Sequence, residues 1–205
     1  MLLGASLLGG CKVLTIEEDR ALRARRSGDF DAARYVNEIW AAKAVPAINA
    51  KAVPADRFLS AVDADLERAG AELGRRAGEG SAWTFVVSGT GVVSSVDIAS
   101  RRGSAEVRLA GTMPARTARL QIGPVVSGTA IRDALPFVAF NDFADQLAFA
   151  DVGRELTARA YRTLQPGIAQ LRPGQAIRFT GVVNIRAPGE PLVMTPIAIS
   201  VGEAS

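Results

Sequence analysis

The hydrophobic rhythm of the chain changes at residue 81. Before it, apolar residues recur at three- and four-residue steps; after it, they alternate. In "DFDAARYVNEIWAAKAV" the residues Phe30, Ala33, Val36, Ile39 and Trp40 share one helical face. Asp29 is placed to cap that helix and Pro46 to stop it. "AINAKAVP" reads as a connector, with Pro54 in the first turn of a second helix carrying the stripe Leu59, Val62, Leu66, Ala69 and Leu73. Gly78 and Gly80 are its expected end. The two stripes can bury each other as a small helical unit, with Trp40 in its core. "KVLTIEEDRALRARRSG" before them is a polar lead-in that can turn helical at its end.

From Ser81 the stretch "SAWTFVVSGTGVVSSVDIAS" reads as a long strand, and Gly89 and Gly91 within it mark a bulge or bend. "RRGS" at 101–104 is a turn, "AEVRLAG" a second strand, and "ARLQIGPVV" a third closed by Gly123-Pro124. A helical segment follows in "FADQLAFADVGRELTARAYRTLQPG", with Asp151 as a second N-cap and Pro166-Gly167 as its stop. Two strands close the chain: "QAIRFTGVVNI", with Gly181 midway, and "PLVMTPIAISV". Three strands, a helix and two strands is the order of an OB-fold, a five-stranded barrel with its helix between strands three and four. The first strand is long and bent, as it must be to serve both halves of the rolled sheet. The expected fold is therefore α+β: a small N-terminal helical domain (29–80) followed by an OB-like domain (81–205).

The N-terminus changes the setting. Leu8-Gly9-Gly10-Cys11 follows a short apolar run and resembles a bacterial lipobox, in which a diacylglycerol is attached to the cysteine sulfur and the preceding peptide is removed. Residues 1–11 then form a signal-peptide remnant and 12–28 a tether, with Cys11 the lipidated residue and the membrane its partner. No Lys or Arg precedes the run, so the true start is expected upstream. The run is too short to span a bilayer.

Composition narrows the chemistry. The chain has no histidine and one cysteine, which removes Ser-His and Cys-His nucleophile pairs and the usual zinc ligands. No metal or cofactor motif is read. Lys12, Lys43 and Lys51 are the only lysines among the 24 basic residues, and the arginines form no dense run that would track phosphates. With aromatics at 6%, the stacking platform of a single-strand nucleic-acid binder is missing; nucleic acid is not an expected partner.

The least ordinary stretch is "GPVVSGTAIRDALPFVAFNDFADQ", residues 123–146, carrying Arg132, Asp133, Asn141, Asp142, Asp145 and Gln146. On one reading these are scaffold. Ser127-Gly128-Thr129 bonds its own backbone and starts a short helical turn, Asn141 caps the helix of Phe143 and Leu147, and Phe137, Phe140, Phe143 and Phe149 plug one end of the barrel. Arg132 and Asp133, as sequence neighbours, are not expected to face each other. On the other reading the six polar residues surround a small-molecule or glycan pocket with an aromatic wall from Phe137 or Phe140. A hydrolase would need two of the carboxylates, such as Asp133 and Asp142, at a defined separation with one pKa raised.

The lipobox, the helical N-terminal part, the 123–146 stretch and the closing "GVVNI" and "LVMTPIAI" together resemble the predicted periplasmic lipoproteins grouped as a domain of unknown function. That resemblance implies a helical part joined to an OB-like α/β domain. It also implies a gene neighbourhood of sugar ABC transporter components. The expected role is accordingly non-catalytic: binding a sugar or a transporter component, or serving as a protein-interaction lipoprotein with no small ligand.

Overall fold

The computed structural model describes residues 15–27 and 30–202. The lipobox with Cys11 and the expected cap Asp29 lie outside these residues. The lead-in is helical from its first described turn, α1 (Ile16–Arg25), because Thr15 and Glu18 form a capping box. α1 buries none of its residues.

α2 (Ala32–Ile39) is capped by Asp31, whose Oδ1 accepts from the backbone N–H groups of Ala33 and Arg34 at 2.9 and 3.0 Å. Pro46 does not stop the helical path. A π-turn at Trp40–Ala44 widens the helix ahead of it, with Val45 N–H bonding the carbonyl of Trp40, and α3 (Val45–Asn49) carries Pro46 in its first turn. The missing N–H and the ring of proline are thereby accommodated instead of breaking the helix. β1 (Val53–Pro54) is a two-residue strand. The second expected helix is two, α4 (Ala55–Ala64) and α5 (Leu66–Leu73). Asp65 separates them in extended conformation and caps α5 through a 3.0 Å bond from Arg68 N–H. α5 ends at Gly74, short of Gly78, because the chain turns at once into the two-residue strand β2 (Arg75–Arg76).

The long strands are β3 (Trp83–Asp97), β4 (Ser104–Leu109), β5 (Thr117–Gln121), β6 (Ala176–Ile185) and β7 (Leu192–Val201). β3 pairs antiparallel with β6 through residues 83–92 and with β4 through 91–97, so one strand serves both halves of the sheet. β5 and β7 run parallel over three residue pairs, and β7 returns antiparallel to β6. The ring β3-β4-β5-β7-β6 thus closes unevenly, strongly between β3 and β6 and thinly between β5 and β7. β1 and β2 add to β3 at its flank.

Glycine is required where these strands crowd. A Cβ on Gly91 would run into the carbonyl oxygen of Arg108 and sit 2.7 Å from Val107 Cγ1. The bulge itself falls two residues later, between Val93 and Ser95. A second irregularity follows Thr180, where Gly181 lies opposite Pro196 beneath the side chain of Met194; a proline that cannot donate to the ladder belongs at such a break.

The connection from β5 to β6 holds α6 (Ala130–Ala134), a 3-10 turn (Phe140–Asp142) and α7 (Gln146–Ile168), where one helix was expected. α7 is capped by Asp145, not Asn141, and runs past Asp151 and through Pro166. Asp151 instead pairs with Arg154 at 2.6 Å.

Two clusters of buried side chains fill the molecule, and both cross the boundary between the helical and β parts. Inside the ring lie Phe85, Val107, Leu120, Phe179 and Met194, closed over by Phe58, Leu59, Val62 and Leu66 of α4 and α5. On its outer face Val86, Val182 and Ile197 are covered by Val36, Ile39, Trp40 and Ile48 together with Val152, Leu156 and Ala160 of α7. The two helical stripes therefore pack on opposite faces of the sheet and do not bury one another. Trp40 is in the core, as expected, at 4% exposure. The 137–149 aromatics do not plug the barrel. Phe143 belongs to the outer cluster, where its ring meets those of Phe30, Tyr35 and Phe149 at centroid distances of 5.4, 5.9 and 5.7 Å.

Candidate functional site

The 123–146 stretch does not converge on one point. Arg132 and Asp133 face each other after all: Arg132 Nε and Nη2 both donate to Asp133 Oδ1, at 3.0 and 2.8 Å. α6 is only five residues long and its last turn lets the long arginine curl back over its neighbour. Thr129 Oγ1 donates to Asp133 Oδ2 at 2.6 Å, and the guanidinium lies 3.9 Å above the Phe149 ring. Both charged side chains are 14% exposed. Their charges and hydrogen bonds are spent on each other, which leaves little for a ligand.

The other four residues serve loops and caps. Asp142 Oδ2 accepts from Ala139 N–H across the 3-10 turn, and Asp145 Oδ1 accepts from Ala148 N–H at the head of α7. Asn141 is exposed and offers its backbone carbonyl to Arg26 Nη2 at 2.6 Å, which ties the end of α1 to this turn. Gln146 is exposed on the first residue of α7. Around Asn141 is a wide, open depression of about 380 Å³ lined by Arg26, Phe140, Phe143 and Ala144. Tyr35 packs against Phe143; burial raises its phenol pKa, opposed by the Arg25 guanidinium.

A better-enclosed cleft of about 200 Å³ lies elsewhere, on the outer face of the sheet. Its floor is Thr84 and Val86 of β3, and its walls are Lys51 after α3, Leu73, Gly74 and Arg75 at the end of α5, and Ala134 and Pro136 after α6. Register builds it. Arg75 is the cross-strand partner of Thr84, so both side chains stand on the same face. Arg76, the next residue, points the other way, stacks 4.0 Å from the Trp83 ring and bonds Glu67 at 2.6 Å. Glu67 also accepts from Trp83 Nε1 at 3.1 Å; that bond, then the Arg76 contact, holds its carboxyl below the usual range. This exposed clamp locks β2 in place and so aims Arg75 into the cleft.

The groups in the cleft complement one another. Arg75 Nη1 donates to the Asp133 carbonyl at 2.7 Å, which leaves its remaining N–H groups for another acceptor. Thr84, 4% exposed, donates its hydroxyl proton to Asn184 Oδ1 at 2.8 Å and so presents only an acceptor. Among the described residues no acidic side chain lines the space. Of the residues singled out from sequence, only the stretch that contains them reaches this cleft, through Ala134 and Pro136. Lys51, Arg75 and Thr84 carry no local motif. The one sequence signal was the unbroken apolar run Phe85-Val86-Val87, which marks a strand covered on both faces.

An α+β chain whose barrel is covered on its outer face by helices, with this cleft between the layers, defines the class: an OB-fold protein. Its likeness to a crystal structure of an OB-fold protein from Thermotoga maritima shows the same fold, with a TM-score of 0.67 at 18% identity over 84% of this chain and 99% of that one. The family follows from the sequence itself: residues 1–200 match "Predicted periplasmic lipoprotein (DUF2291)", and the chain belongs to that family. It is accordingly an extracytoplasmic, membrane-anchored lipoprotein. An OBody bound to hen egg-white lysozyme is more distant, at a TM-score of 0.28 and 12% identity over 58% of this chain and 79% of that one. No curated protein matches the chain significantly. Among the described residues no helix is long and apolar enough to cross a membrane, and no three His, Cys, Asp or Glu side chains cluster as metal ligands.

Proposed function

We propose that the protein is a lipid-anchored, non-catalytic binding component that serves a sugar-uptake system, held to the membrane through Cys11. The observation that carries this reading is the cleft over Thr84. It joins apolar walls to a few placed polar groups of opposite hydrogen-bonding character, which is the make-up of a small-ligand site. It is smaller than the ~300–1,000 Å³ of drug-sized sites, which suits a single sugar ring. The non-catalytic part rests on the carboxylates of 123–146: Asp133 is held in an ion pair, and Asp142 and Asp145 bond backbone N–H groups.

Thermal unfolding of the full chain carrying Cys11→Ser, against a panel of pentoses, hexoses and their acids and phosphates, tests the reading. A ligand at a hundred times its Kd adds roughly 2.7 kcal/mol, a rise in Tm of about 5–10 °C at this chain length. The expected result is such a rise with one member, lost in Thr84→Val. No rise across the panel would favour the competing reading, a lipoprotein that contacts only protein, for which exposed Phe140 (52%) and Leu147 (74%) supply apolar surface.

A further inference from the structure

The cleft has an electrostatic sense that a site for a neutral sugar does not require. Two cationic side chains, Lys51 and Arg75, line it, one following α3 and the other from β2. Among the described residues neither forms an ion pair with a carboxylate, whereas the neighbouring Arg76 and Arg132 are each paired. Arg75 has one nitrogen on the Asp133 carbonyl, and that bond fixes its plane without neutralising its charge. Beside Arg75, Thr84 offers a buried oxygen whose proton is already donated to Asn184 Oδ1.

We infer that the cleft takes a monosaccharide-sized hydroxy acid. Its carboxylate lies between Lys51 and Arg75, and one of its hydroxyls donates to Thr84 Oγ1. This deepens the binding role proposed above and rests on it. Each group matches what it meets. A carboxylate accepts from two cationic donors, and charge-assisted bonds of that kind are about twice as strong as neutral ones. A hydroxyl, unlike an ether or carbonyl, can donate a hydrogen bond to the Thr84 oxygen. Leu73, Val86, Ala134 and Pro136 supply apolar surface for the C–H face of a small ring. A phosphate ester fits less well. Phosphate cradles are built from arrays of free backbone N–H groups at helix starts and nests, and this cleft is walled by helix ends and side chains instead.

Calorimetric titration of the full chain carrying Cys11→Ser with glucuronate, glucose, glucose 6-phosphate and inorganic phosphate tests the assignment. Glucuronate is expected to bind at least about tenfold more tightly than glucose, because hydrogen bonds to a charged group are stronger than those between neutral groups. Its affinity should fall as salt is raised. Lys51→Gln and Arg75→Gln should each weaken glucuronate about tenfold and weaken glucose by a smaller factor, since a neutral hydroxyl loses less than a carboxylate when the charge is removed. Lys51 is exposed, so its variant tests charge without disturbing the fold. Arg75→Lys, which keeps the charge, covers the case in which Arg75→Gln fails to fold. Glucose binding as tightly as glucuronate, or indifference of glucuronate to Lys51→Gln, overturns the acid assignment and leaves a sugar site standing. Inorganic phosphate competing at equal strength also overturns it, as a plain anion site. Binding of none of the four overturns the acid together with the ligand-binding role.

Discussion

Arg132→Ala is expected to destabilise the protein by about 3 kcal/mol, because breaking a buried pair leaves its partner's charge uncompensated. The Asp133 carboxylate, 14% exposed, would keep only the Thr129 hydroxyl. The Phe149 ring would at the same time lose the guanidinium stacked 3.9 Å above it. At this chain length the loss corresponds to a fall in Tm of roughly 6–12 °C. Arg132→Lys should fall in between, since an ammonium cannot make the two-nitrogen contact or the stack. Asn141→Ala and Gln146→Ala, at exposed positions, should stay within about 0.5 kcal/mol. Thermal unfolding monitored by circular dichroism separates these outcomes. An unchanged Tm in Arg132→Ala would mean that neither the pair within α6 nor the stack on Phe149 of α7 contributes to stability.

Gly91→Ala is expected to cost about as much, for a backbone reason. Gly91 is the residue at which β3 passes from its pairing with β6 to its pairing with β4, and it has a partner on each side, Ile177 and Leu109. A methyl group there meets the Arg108 carbonyl oxygen and Val107 Cγ1, one of them backbone in a paired strand and the other in the barrel core. Neither can rotate away, and overpacking of this kind costs typically 1–3 kcal/mol. Gly78 makes an instructive contrast. Its added methyl would meet nothing nearer than Ser81 Oγ at 3.9 Å, so Gly78→Ala is accommodated without movement. Denaturant midpoints for the two variants should therefore differ, with Gly91→Ala the lower. Equal midpoints would remove the special status of the β3 crossing.

The barrel was legible because its strands declare themselves twice, by alternation and by glycines where neighbours crowd. Gly91 and Gly181 stand out in the sequence; the first lies where β3 passes from β6 to β4, the second at the register shift between β6 and β7. The helices were legible in existence but not in their limits. Asp65 sits inside an unbroken apolar stripe from Leu59 to Leu73, so periodicity carries straight across a break that one capping side chain makes. Pro46 misleads in the opposite direction, since the π-turn that absorbs it depends on Trp40 and Ala44 being buried against the sheet. Arg132 and Asp133 drew notice as polar residues in a long loop and proved to be each other's partners. Lys51, Arg75 and Thr84 could not be found by any local rule. They meet because Arg75 pairs with Thr84 across β2 and β3 and because α3 ends above that pair, and both are long-range consequences of the packing.

The most direct measurement is a titration of the full chain carrying Cys11→Ser with glucuronate, followed by backbone amide resonances. The expected perturbations centre on Lys51, Gly74, Arg75, Thr84 and Ala134, which surround the cleft and are scattered in sequence. Perturbations confined to Phe140, Asn141 and Ala144 would move the site to the open depression, and a spectrum that does not change would contradict binding of the acid by the cleft.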